Sequence, residues 1–90
     1  ADMTEAALQV LEQNDKGFWL LVEAGDVDWA NHDNNSDKSI GAVISGEEAF
    51  VVITRWAAKH DRWKDTVVIV AADHGHLFTL LDPAALLEGE

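Results

Sequence analysis

The sequence predicts an α/β fold, a parallel-sheet β-α-β unit with flanking helices. Three observations carry that reading. Two apolar runs, F-W-L-L-V at 18–22 and T-V-V-I-V-A-A at 66–72, are continuous rather than alternating. Strands covered on both faces read this way. A helical pattern lies between them, and a strand-helix-strand connection is right-handed and makes its strands parallel.

The elements follow in order. Met3 to Gln13 places Met3, Ala6, Ala7, Val10 and Leu11 at helical spacing, with Asp2 and Glu5 as a capping box. Asn14-Asp15-Lys16-Gly17 breaks the pattern, and Gly17 suits a left-handed turn. Phe18 to Val22 is the first predicted strand. Glu23 to Ser39 is polar and acidic and reads as a connection. A second helix is expected to start at Ser45, boxed with Glu48, and to bury Ala49, Phe50, Ile53, Trp56, Ala57 and His60. The basic residues Arg55, Lys59, Arg62 and Lys64 crowd its far end, where the helix dipole favours cations. Thr66 to Ala72 is the second strand, β-branched and uncharged. Asp82-Pro83 reads as the start of a short helix through Leu87.

Composition narrows the function. The 90 residues hold 17 acidic against 6 basic side chains, a net charge of -11, with 48% hydrophobic residues. A nucleic-acid partner is disfavoured because phosphate binding needs a basic face. The apolar fraction excludes a disordered acidic tail, and no apolar run is long enough for a membrane span. No basic stretch followed by an apolar run marks a signal peptide. The absence of cysteine excludes disulfides and thiolate zinc sites. Residues 1–90 are read as one partial domain, a piece of a larger protein.

In an open parallel sheet, ligands sit beyond the carboxyl ends of the strands. The first strand runs into Glu23 and the second into Asp73 and His74, so distant residues are expected to share one edge. V-E-A-G-D-V-D-W-A-N-H supplies Glu23, Asp28 and His32. One helical turn would set Asp28 and His32 on the same face. A-D-H-G-H supplies Asp73, His74 and His76, and Gly75 would let the backbone leave the strand. Gathered carboxylates repel unless a cation joins them. Carboxylate with imidazole suits zinc, and a carboxylate alone suits a harder ion such as magnesium. An EF-hand register over 26–37 fails, since Ala30 and Asn31 stand where a ligand and the turn glycine belong.

Together the two clusters resemble the carboxy-terminal half of the metal-binding core of alkaline phosphatases. The likeness rests on V-E-A-G-D-V-D-W-A-N-H at 22–32 and V-I-V-A-A-D-H-G-H at 68–76, with I-G-A-V at 40–43 and E-E-A-F at 47–50 between them. It implies a larger three-layer sandwich and hydrolysis of phosphate monoesters through a phosphoserine. It also implies two zinc ions and one magnesium ion. Glu23 would bind magnesium, Asp28 and His32 one zinc, and Asp73 and His74 the other. His76 would hydrogen-bond a ligating carboxylate, and Trp29 would border the phosphate site. The implied partners are the phosphate ester, the remainder of the catalytic domain and a second copy in a homodimer. The implied location is periplasmic or extracellular.

The resemblance has gaps. Ser36, Ser39 and Ser45 lie outside the family's Asp-Ser-Ala or Asp-Ser-Thr context, so no serine nucleophile is identified. Each zinc has two of its expected protein ligands, and magnesium has one. The chain alone is therefore expected to be inactive. Two alternatives stand beside the monoesterase. One is a phosphodiesterase or phosphomutase of the same superfamily, and the other is a non-catalytic metal-binding module.

Overall fold

The computed structural model describes residues 1–77, 79, 81, 82 and 84. Three helices account for the regular structure among them: α1 at Asp2–Leu11, α2 at Asp26–His32 and α3 at Ser36–Lys59. Both α1 and α2 pack on α3.

The predicted β-α-β unit is not present among the described residues, which form no strand or sheet. Segments 18–22 and 66–72 flank the helices without joining a ladder. Phe18, Trp19 and Leu20 line a groove of about 270 Å³ together with Thr66, Val67, Val68, Ile69, Leu8, Ile53 and Trp56. A parallel pair is stable only inside a wider sheet with both faces covered. Here neither condition is met. Trp19, Val67 and Ile69 remain 80, 85 and 83% exposed. The strand reading of these two runs is therefore corrected, because apolar composition cannot supply the neighbours that a ladder requires.

Helix bounds also differ from expectation. Asp2 lies inside α1 and makes no side-chain cap, although its charge still suits the first turn. The acidic stretch expected as a connection contains α2. Helix α3 begins nine residues before Ser45, because Asn35 caps it. The Asn35 side chain accepts from the Lys38 backbone N–H at 3.0 Å, and Asp37 places a carboxylate in the first turn. Ser45 is therefore mid-helix. Gly17 adopts the expected left-handed conformation, φ +89°. The predicted helix from Pro83 to Leu87 lies outside the described residues.

The core is thin. Among the described residues, those buried are Thr4, Leu8, Ala30, Ala49 and Ala57. The end of α1 is tied to α3 by Glu12, whose carboxylate accepts from Trp56 Nε1–H at 2.8 Å and lies 3.1 Å from His60 Nδ1. Phe18 meets Trp56 edge-on at 5.6 Å between ring centres, closing the same corner.

Candidate metal centre

Asp28 stands in the first turn of α2, and His32 lies one turn on. Their Oδ2 and Nε2 atoms are 3.6 Å apart, as the four-residue spacing predicted. The second histidine cluster reaches the same carboxylate from the other end of the chain. His76 Nε2 is 2.8 Å from Asp28 Oδ1, and His74 Nε2 is 3.4 Å from that oxygen. His74 Nε2 also lies 3.5 Å from Asp73 Oδ2. The His32 and His76 rings meet edge-on at 4.6 Å, and those of His74 and His76 at 5.0 Å. Three imidazoles thus converge on one carboxylate without a sheet edge to align them.

A carboxylate can only accept, so His76 Nε2 carries the proton and donates to Asp28. This bond is the most sheltered contact of the cluster, with the His76 side chain 14% exposed. His74 is the more open and is raised above its ordinary pKa. The main cause is its Nδ1–H bond to the Gly75 carbonyl at 3.1 Å, which favours the protonated ring. The Asp73 carboxylate acts next in the same direction, desolvation opposes it, and Asp28 adds the smallest upward effect.

Donor atoms of Asp28, His32 and His76 all lie within 4.8 Å of one another. Oxygen and imidazole nitrogen at such spacing fit zinc. The hydrogen bond from His76 uses the nitrogen that faces Asp28, which leaves Asp28 and His32 as the open donors of that group. Asp73 and His74 form the adjacent pair. Glu23 is exposed, and among the described residues its carboxylate makes no hydrogen bond or ion pair. Trp29 is 75% exposed and borders a separate cleft between α2 and α3, with Asp26, Asp33, Lys38 and Ser45.

Asn34 was missed in the sequence. Its side-chain Nδ2–H donates to the Thr79 carbonyl at 3.0 Å, and its Oδ1 accepts from the Thr79 N–H at 3.0 Å. Asn34 has φ +51°, a left-handed conformation that asparagine tolerates. The only sequence signal was an asparagine pair after a helix.

No helix among the described residues is long and apolar enough to cross a membrane. The family model described as alkaline phosphatase matches residues 1–85. Among curated relatives, alkaline phosphatase 4 of Bacillus subtilis is 42% identical over 73 residues, covering 81% of this chain and 15% of the relative. Alkaline phosphatase of Escherichia coli is 36% identical over 83 residues, covering 92% of this chain and 17% of the relative. The tissue-nonspecific isozyme of Rattus norvegicus is 35% identical over 79 residues, covering 88% and 14%. The chain therefore spans about one sixth of the length of these relatives. No solved structure matches it.

Proposed function

The chain belongs to the alkaline phosphatase family, and from that premise we propose that it supplies metal-binding residues for the hydrolysis of phosphate monoesters. The observation that carries this reading is the convergence of His32, His74 and His76 on Asp28. Asp28 and His32 would hold one zinc ion and Asp73 and His74 a second, with Glu23 directed to magnesium. Bound zinc would supply Lewis-acid stabilisation of the attacking and leaving oxygens of phosphorus.

This chain's own residues then have distinct tasks. Asp28 offers Oδ2 on the His32 side, while His76 holds Oδ1 by its hydrogen bond and fixes the carboxylate plane. His74 must release a proton from Nε2 before that nitrogen can act as a donor. Trp29 follows Asp28 and would border bound phosphate. A serine that attacks phosphorus is assigned to none of Ser36, Ser39 or Ser45, since none stands in an Asp-Ser-Ala or Asp-Ser-Thr context. The remainder of a catalytic domain, a homodimeric assembly and a periplasmic or extracellular setting belong to the same proposal and rest on the family alone.

Elemental analysis of the zinc-loaded chain tests it. Zinc should be retained by the native chain and reduced in the Asp73→Ala, His74→Ala variant. Equal zinc in both, or none in either at micromolar metal, would remove the support for these ligands.

A further inference from the structure

The carboxamide of Asn34 faces Thr79, a residue 45 positions away, and satisfies both of its backbone groups at 3.0 Å. That is how a neighbouring strand would treat Thr79, but here one side chain does it. The pairing matters because of what lies on either side. Asn34 is two residues beyond His32 at the end of α2, and Thr79 is three residues beyond His76. The stretch from 72 to 77 has neither helix nor strand to hold it, and among the described residues its backbone makes no backbone–backbone hydrogen bond. Among the described residues, the long-range bonds that hold it are the Asn34 clamp just beyond it and the His76 bond to Asp28, with the His74 contact at 3.4 Å beside them.

We propose that Asn34 is a positioning residue, which clamps the chain at Thr79 and thereby seats the His76 imidazole on Asp28. Its left-handed backbone is part of the device. At φ +51° the chain turns from α2 into α3 and presents the carboxamide outward, a conformation open to asparagine and glycine but strained for most residues. The consequence for zinc rests on Asp28 being a ligand, as proposed above. The seating of His76 does not, because it is argued from the Asn34–Thr79 and His76–Asp28 hydrogen bonds alone.

The test is long-range proton–nitrogen NMR of the histidine side chains in the native 90-residue chain and in Asn34→Gly and Asn34→Asp variants, first without metal. Glycine keeps the left-handed turn and removes both bonds. Aspartate keeps the acceptor and loses the donor. The native His76 should show one tautomer with the proton on Nε2. Asn34→Gly should average the two tautomers as in a free histidine, at unchanged helix content by circular dichroism, and Asn34→Asp should fall between. Should glycine cost helix content, the Asn34→Asp spectrum decides by the same criterion. A His76 signature that is averaged in the native chain, or identical in native and variants, overturns the proposal. Zinc titration follows, with an expected loss of about ten- to a hundredfold in affinity for Asn34→Gly. Zinc loss with an unchanged His76 spectrum also overturns it, since the effect would then run elsewhere. A native chain that takes up no zinc counts against the zinc reading alone, because the metal-free spectra still decide the role of Asn34.

Discussion

His74 is the residue whose chemistry the surroundings change most clearly. Its Nδ1–H is bonded to the Gly75 carbonyl, and Nε2 faces Asp73 and Asp28 at 3.5 and 3.4 Å. All three groups prefer the imidazolium, so its pKa lies above the ordinary 6.5. A raised pKa in the folded state means that these contacts stabilise fully below pH 6.5. They are lost as pH rises through the raised value, when the ring becomes neutral. An NMR titration of the metal-free chain should place the His74 midpoint above 6.5. A midpoint at or below that value would show that the Gly75 bond and the two carboxylates do not act on it. Asp73→Asn should lower the midpoint, because one of the two carboxylates is removed while the Gly75 bond stays. The spacing of Asp28 and His32 made their meeting legible from the sequence. Their meeting with His74 and His76 was reached through a sheet edge that is not there, so the juxtaposition was expected for a different reason from the one the structure displays.

Two glycines in α3 separate helix propensity from packing. Gly41 has open space where a Cβ would stand. Alanine there restricts the unfolded chain and adds nothing to crowd, so Gly41→Ala should stabilise by about 0.5–1 kcal/mol. At Gly46 a Cβ would lie 3.0 Å from the Ala24 Cβ, next to Glu23 and at the entrance to α2. A β-branched side chain cannot be accommodated there without moving the 23–25 segment off α3. Gly46→Val should therefore destabilise by roughly 1–3 kcal/mol. Thermal unfolding followed by circular dichroism measures both; stabilisation in both variants would show that Ala24 yields freely, and a loss in Gly41→Ala would overturn the open-space reading there. The helical nature of α1 and of the second half of α3 was legible because apolar residues recur at helical spacing. The start of α3 was not. Ser45 with Glu48 is a good local start signal, but Asn35 is a better one, and contact with α2 gives the earlier turns a surface to pack on.

At the scale of the whole molecule the chain is long and thinly packed. Its radius of gyration is 16.6 Å and its extents are 52 × 26 × 21 Å. A compact domain of this length would have a radius near 12 Å. Among the described residues few are buried, all of them alanine, leucine or threonine, while the apolar runs at 18–22 and 66–72 stay largely open. The exposed runs of the chain in isolation should bind a hydrophobic dye such as ANS. Absent dye binding would mean that these runs are covered by self-association, which sedimentation would detect.

The sequence by itself determined helix α1, the second half of α3, the two apolar runs and the family. These depend on periodicity and on the order of residue types along the chain, which a one-dimensional reading retains. Tertiary structure alone decided that the apolar runs do not pair, because a ladder needs neighbours and covered faces that no local pattern provides. It alone also decided how the histidines reach Asp28. That closure depends on Asn34 bonding a backbone 45 residues away, and neither partner of such a contact carries a mark of the other.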